Sequence, residues 1–381
     1  EEVMVKEKQL KYAEGTMKEM KAETEEQRMK IDLLNKENQL KELKLKEEKA
    51  RRKNQAIILQ STVGIVMLLI LIALILILGI RQKQRANRLL DRQNQEIKAQ
   101  QEIIRDRNRK ILQSINYAKK IQKAILPAGE SFKEYFPESF VFFEPRDVVS
   151  GDFYWFSDAN IKSVISKDIL SPNENSKKVY IVSAIDCTGH GVPGAFMSMV
   201  GYNIMQNIIS KGIISPEKIL TVLNTGVKNL LKQDQTDLRD GMDMALCVVK
   251  EDEGIVEFAG AKNPLVYFVD GQMNVIKGDK MPIGGFLQNL YKNKEFTKHT
   301  IKITKPTTFY LYSDGFQDQV GGEKGRKFLS TKFREFLAEI HQKPMAEQKE
   351  IIGETLENWK GNYSQDDDIL IMGFRVDPKK T

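Results

Sequence analysis

Three patterns of apolar and polar positions divide this chain. Residues 1–53 mix Lys, Glu, Gln and Leu without a proline, and Leu10, Met17 and Ile31 sit only partly in heptad register. Such a segment reads as long helix, either coiled coil or the end of an upstream helical repeat array. The second pattern is Ala56 to Ile80, AIILQSTVGIVMLLILIALILILGI, which carries no charge. About 20 apolar residues cross a bilayer, so it predicts one transmembrane helix, with a buried core helix as the alternative. Arg51, Arg52 and Lys53 precede it and Arg81, Lys83 and Arg85 follow it, so basic flanks do not orient it. A signal peptide does not fit, because a long charged helix comes first.

Beyond the apolar run, Leu90, Ile97, Ile104, Ile111, Ala118 and Ile125 recur at heptad spacing. The opposing positions Gln93, Gln100, Arg107 and Ser114 are polar until Ile121. One apolar and one polar row make a weak seam, which fits an exposed stalk or a dimer rod that shifts register with a signal. Pro127 ends the pattern. The expected segments are therefore 1–55 (charged helix), 56–80 (membrane span), 81–127 (coiled-coil linker) and 128–381 (a folded domain).

The third pattern starts near Ser131. Short β-rich runs follow one another: SFVFFEP, KKVYIVSAID, MALCVVKED, GIVEFAG, PLVYFVDGQMNVI, TTFYLYSDG and DILIMGFRV. Asp270-Gly271 between VYFV and QMNVI is a strong hairpin signal, and EDEG between two other runs predicts a second hairpin. Helices are expected at Ala195–Ser210, Pro216–Lys232, Ser330–Ile340 and Met345–Trp359. Hairpins with long helices argue for an antiparallel α+β layered domain and not for alternating βαβ units. Some 250 residues are ample for a buried core.

Composition narrows the chemistry. The net charge is +7, but opposite charges are mixed and no aromatic-basic cluster of the kind that grips single strands occurs, so nucleic acid is not an expected partner. Two cysteines, Cys187 and Cys247, give no disulfide framework and suit a reducing compartment. His190, His299 and His341 are too scattered for a histidine-rich zinc site. The first residue is Glu1 and not Met, as in a fragment of a longer protein.

Four aspartates stand where apolar strands end: Asp152 in SGDFYWF, Asp186 in VYIVSAID, Asp314 in FYLYSDGF and Asp367 in QDDDILIMGF. Each alone could be a turn aspartate. Together in one domain they repel one another unless something positive lies among them, and divalent metal is the simplest candidate. Two metals about 3.5–4 Å apart are the standard device for activating water against a phosphorus ester.

Rival readings are weaker. Gly189, Gly191 and Gly194 spell GxGxxG, but no acidic residue ends a second strand about 20 residues on and no βαβ series follows. The glycines are better read as letting the backbone fold tightly beside Asp186. Cys187 is followed by TGHGVPG with no arginine, unlike a thiolate phosphatase loop. His190 fits either a general acid or a turn-stabilising residue, and the second is preferred.

The ordered motifs SGDFYWF, AIDCTGHGVPGAFMS, AGAKNPLVY, YSDGF and DDDILIMGF resemble the metal-dependent PPM-type serine/threonine phosphatases, in their bacterial SpoIIE branch. NYAKKIQKAILP resembles the helical lead-in of that domain, and the resemblance runs from about Ser114 to Val376. It implies a central antiparallel β-sandwich flanked by helices, with two Mn2+ or Mg2+ ions between the sheets. By motif, Asp152, Asp186 (bridging), the Cys187 backbone carbonyl, Asp314 and Asp367 become metal ligands, and Asp186 and Asp152 the catalytic pair. The register leaves Asp366 and Asp367 as alternatives, and Asp368 stands where the wider superfamily often has asparagine. The superfamily's histidine lies two residues after its bridging aspartate; His190 lies four on, so that role does not transfer. Arg146 is either the phosphate-binding arginine or a surface arginine at a strand end.

The implied reaction is one-step hydrolysis of phosphoserine or phosphothreonine in a protein by metal-activated water. Resemblance points to a substrate of the anti-sigma-factor-antagonist type. Phosphoproteins and free thiols are intracellular, which places 81–381 in the cytoplasm and 1–55 outside, on a single-pass protein of the inner membrane. A homodimer through the linker is the expected assembly. The alternatives are a non-catalytic, membrane-tethered signalling dimer with a phosphatase-like binding domain, and a phosphohydrolase acting on a nucleotide.

Overall fold

No proline interrupts the chain before Pro127, and good helix formers dominate that stretch. Accordingly, in the computed structural model helix α1 runs over Glu2–Ile125, and the Leu126 N–H closes its last turn on the Gln122 carbonyl at 3.0 Å. The structure describes residues 2–158, 178–285 and 294–378; Lys177, the first residue of the expected KKVYIVSAID strand, lies outside them. The chain divides into two units, Glu1–Ile104 and Arg105–Thr381. In the first, every described side chain is exposed, Ala56–Ile80 included. That apolar stretch is long enough to cross a membrane by length and composition.

The second unit is an antiparallel α+β sandwich. One sheet has the order β1(Ser139–Glu144), β13(Ile369–Val376), β10(Thr307–Tyr312), β6(Leu265–Val269), β7(Gln272–Ile276). The other has the order β2(Phe153–Asp158), β3(Val179–Cys187), β4(Gly241–Lys250), β5(Ile255–Ala261), β9(His299–Lys302), with β8(Ile283–Gly284) also on β4. A small ribbon pairs β11(Val320–Gly321) with β12(Arg326–Lys327). Both expected hairpins form: Val269 pairs Gln272 across Asp270-Gly271, and Lys250 pairs Ile255 across the EDEG turn.

Strict alternation along each strand builds the layers. Val182, Ala184, Ala245, Cys247, Phe258, Leu311, Leu370 and Met372 point inward and form the buried layer between the sheets. Ile181, Ile185, Met244 and Leu246 face the other way, against α3(Gly191–Ser210) and α4(Pro216–Leu230). On the opposite outer face, Tyr310, Tyr312, Ile369 and Ile371 pack on α6(Ser330–Ile340) and α7(Met345–Lys360), while α2(Phe132–Tyr135) and α5(Gly315–Asp318) are single short turns. Helix α3 begins at Gly191 and not at the expected Ala195. Pro193 is tolerated because the first turn needs no N–H from it.

Candidate active site

Strand parity decides where the aspartates point. On β3, Val182 and Ala184 face the interior, so Asp186 continues that row at the strand's end. On β2 the inward residues are Tyr154 and Phe156, and Asp152 has the same parity. Phe153 opposes Ile185 in the β2–β3 ladder, which sets Asp152 beside Asp186. On β4, Asp243 is paired directly with Asp186. Met244 opposes Ala261 in the next ladder, so Lys262 is the following rung beside Asp243. The end of this sheet thus carries a cross-strand row, Asp152, Asp186, Asp243, Lys262.

The other sheet contributes from its loops. Asp314 follows β10, and its N–H lies 3.5 Å from Asp186 Oδ2. Asp367 and Asp368 precede β13. Asp368 is buried and serves as a clamp: its Oδ1 accepts the Arg146 N–H at 2.8 Å, and its Oδ2 accepts the Gly151 N–H at 2.7 Å. Asp366 turns elsewhere, its Oδ2 accepting the Val320 N–H at 2.8 Å. Of the two alternatives in the acidic triplet, Asp367 is the one whose charge reaches Asp152, Asp186 and Asp314.

The electrostatics are those of crowded like charges. Burial, then the neighbouring Asp152, Asp314, Asp243 and Asp367, push the Asp186 carboxyl well above the usual carboxylate range. Burial likewise raises Asp152 strongly; the Ser313 hydroxyl partly offsets this, while Asp368, Asp367 and Asp314 add to it. Burial also raises Asp314 and Asp367. Asp243 is raised by burial and pulled back by Lys262, whose Nζ lies 3.0 Å from its Oδ2.

These residues pass a chemical test for a hard cation. Asp152 is buried, and its Oδ2 has no hydrogen-bond partner. The donors are carboxylates with a backbone carbonyl, that of Cys187, close by Gly151. Among the described residues, no three His, Cys, Asp or Glu side chains close on one point.

Backbone packing brings the pieces together. A Cβ on Gly151 would lie 2.3 Å from the Gly189 carbonyl, and one on Gly194 would lie 2.2 Å from the same oxygen. The glycines of the GxGxxG run thus fit two chain segments against each other beside Asp186. His190 Nδ1 lies 2.7 Å from Asp147 Oδ2 and ties this turn to the Arg146–Asp147 loop. Arg146 is exposed, with Nη1 on the Asp366 carbonyl at 2.9 Å. Both cysteines are buried, and burial raises both thiols well above their ordinary value.

Residues not anticipated from sequence are Asp243, Lys262, the clamp role of Asp368, and Gln122. Gln122 is buried near the end of α1; its Nε2 donates to the Ser150 carbonyl at 2.7 Å and to Ser198 Oγ at 3.0 Å, and its Oε1 accepts the Ser150 N–H at 3.2 Å. The end of that helix is therefore fastened two residues from Asp152.

A two-sheet antiparallel sandwich with carboxylates gathered at one end is the architecture of the PP2C-type phosphatases. Residues 176–377 match the family model described as Stage II sporulation protein E (SpoIIE), and the chain belongs to this family. Among solved structures it is similar to the SiaA-PP2C domain of Pseudomonas aeruginosa, with 33% identity over 71% of this chain and 98% of that one, at a TM-score of 0.59. It is also similar to the phosphoserine phosphatase RsbP of Bacillus subtilis (strain 168), with 24% identity over 230 residues, 60% of this chain. The chain spans about half the length of RsbP, 52%.

Proposed function

We propose that this protein is a membrane-anchored serine/threonine phosphatase that hydrolyses phosphoserine or phosphothreonine on a signalling protein. The observation that carries this reading is the row Asp152, Asp186, Asp243 facing Asp314 and Asp367 from the opposite sheet. Asp152, Asp186, the Cys187 carbonyl, Asp314 and Asp367 would hold two manganese or magnesium ions. Such ions, when bound, lower the pKa of water and neutralise phosphoryl charge.

The chain's own residues divide the remaining work. Asp186 sits mid-row with a carboxylate on either side, the position from which one side chain can serve two ions. The buried Asp152 offers an oxygen with no competing hydrogen bond. Arg146 at the rim keeps guanidinium donors beyond the one given to Asp366 and can orient a phosphoryl oxygen. Both thiols stay protonated at neutral pH, so neither cysteine competes as the nucleophile. With manganese, the full chain in detergent should release phosphate from a phosphoserine protein and far less from nucleoside triphosphates. A preference for nucleotides would replace the protein-phosphatase reading.

The anchor rests on Ala56–Ile80, an uncharged stretch with every side chain exposed. Leaving so much apolar surface in water is costly, and a bilayer removes the cost. Phosphoprotein substrates, such as an anti-sigma-factor antagonist, put residues 81–381 on the cytoplasmic side of the inner membrane and 1–55 outside. Leu90, Ile97, Ile104 and Ile111 are exposed and would form one side of a homodimer seam over 81–127, with the phosphatase domain in 128–381. Gln122 offers the route by which a shift of that rod reaches Ser150 and Asp152. Disulfide crosslinks at Leu90→Cys or Ile97→Cys should change phosphatase rate and manganese affinity several-fold. Unchanged values after full crosslinking would remove the rod from the account.

A further inference from the structure

The AGAKNPLVY motif has no role in the reading above, yet the fold places its lysine in the acidic row. Lys262 is the rung after Ala261 on β5 and lies beside Asp243, which is itself opposite Asp186. The backbone there is unusual. Lys262 has a φ of +57°, a left-handed conformation that glycine or asparagine accepts more easily than lysine. The Asn263 N–H returns to the Ala261 carbonyl at 2.7 Å, closing a three-residue turn around Lys262, and the Lys262 N–H donates to the Asp279 carbonyl at 2.7 Å.

The surroundings hold this turn in place. A Cβ on Gly260 would come within 2.5 Å of the Asn263 carbonyl, and one on Gly278 within 2.6 Å of the same atom. A strained non-glycine residue kept by close backbone packing points to a use for its side chain. That side chain opens onto a hollow of about 240 Å3, lined by Asp186, Thr188, Arg239, Asp243, Lys262 and Gly285 among others. Two cations and two carboxylates thus share a small cavity that includes the central aspartate of the row.

We propose that Lys262, together with Arg239 in the same hollow, binds the phosphoryl group of the substrate beside Asp186 and holds the phosphate after cleavage. The proposal rests on the phosphatase reading above and names the recognition element for it. Lys262 alternates between two partners: the Asp243 carboxylate when the hollow is empty of anion, and a phosphoryl oxygen when substrate arrives. Divalent cations held by Asp186 and its neighbours would give the hollow net positive charge, which would favour a dianionic ester over a neutral one. A lysine serves here as a mobile point charge, which suits a group that must exchange partners. Lys262 is thereby a phosphate-binding residue at the end of the row farthest from Asp152.

The simpler role for Lys262 is to neutralise Asp243 and nothing more, and the test separates the two. Binding of inorganic phosphate to the full chain in detergent is measured by calorimetry with magnesium present, alongside kcat and KM for a phosphoserine protein. Lys262→Met should weaken phosphate binding and raise KM by roughly ten- to hundredfold, with a smaller change in kcat. Lys262→Arg, which keeps the charge, should retain most of the affinity. Asp243→Asn combined with Lys262→Met should bind phosphate as weakly as Lys262→Met alone. Wild-type phosphate affinity in Lys262→Met, or recovery of affinity in the double variant, overturns the proposal and leaves Lys262 as the partner of Asp243 only. If the wild-type chain releases no phosphate from any phosphoserine protein, the phosphatase reading falls. The calorimetry still decides: a gap between wild type and Lys262→Met that persists in the double variant supports this site, and equal affinities, or a gap that closes in the double variant, end it.

Discussion

In Asp186→Asn protein, manganese-dependent phosphate release from a phosphoserine protein should fall by about a thousandfold, the several kcal/mol that a lost metal–carboxylate arrangement represents. Stability should move in the opposite direction. Burial and four neighbouring aspartates hold the Asp186 carboxyl well above the usual range, so its ionisation at neutral pH opposes folding. The amide has no such cost. Stripped of divalent cations, Asp186→Asn should therefore melt at a higher temperature than wild type at neutral pH. The folded-state pKa is raised, so the folded wild-type chain binds more protons than the unfolded one between the ordinary carboxylate value of about 4 and the raised value. As pH falls through that window, wild type regains stability and the gap to Asp186→Asn closes. A variant that loses activity because it unfolds would show the reverse, a lower melting temperature at every pH.

Asp368→Ala should produce the largest loss of stability among the acidic positions. Its buried carboxylate accepts the N–H groups of Arg146 and Gly151, which fixes the loop that carries Asp152. Deleting the carboxylate strands both donors, at a cost of about 2–4 kcal/mol. Thermal unfolding of the full chain in detergent measures it. Asp368→Asn keeps one acceptor oxygen and should lose less than half as much. Equal melting temperatures for Asp368→Ala and wild type would show that the loop is held by something else, with the Gly151–Gly189 approach the next candidate.

Much of this was legible in the chain because local rules agree with the fold. The Asp270-Gly271 hairpin, the helix at Ser330–Ile340 and the stop at Pro127 all follow from turn chemistry and periodicity. The strand-end aspartates stood out because a charge ending an apolar run is conspicuous. Register is different. Asp243 sits one residue after Met242 in an otherwise apolar strand, and only its pairing with Asp186 shows that it belongs to the site. The inward parity of Asp243 with Ala245 and Cys247 was the available signal. Lys262 needs two ladders and a left-handed turn to be placed, and neither is a local property of AGAKNPLVY. Gln122 was hidden among the polar residues of a helix that reads as exposed, because its partners lie 28 and 76 residues away. Helix α3 starts before the expected Ala195 because Gly191, Pro193 and Gly194, which have the composition of a loop, form its first turn, with Gly194 packed closely against Gly151.

In the proposed function, carboxylates from both sheets act together as a binding site for divalent cations. Calorimetric titration of manganese into the full chain, beside Asp186→Asn, measures this directly. Wild type should take up two ions per chain, and Asp186→Asn should lose both sites or bind them far more weakly. Two equal titrations, or a wild-type chain that takes up no manganese, would contradict it.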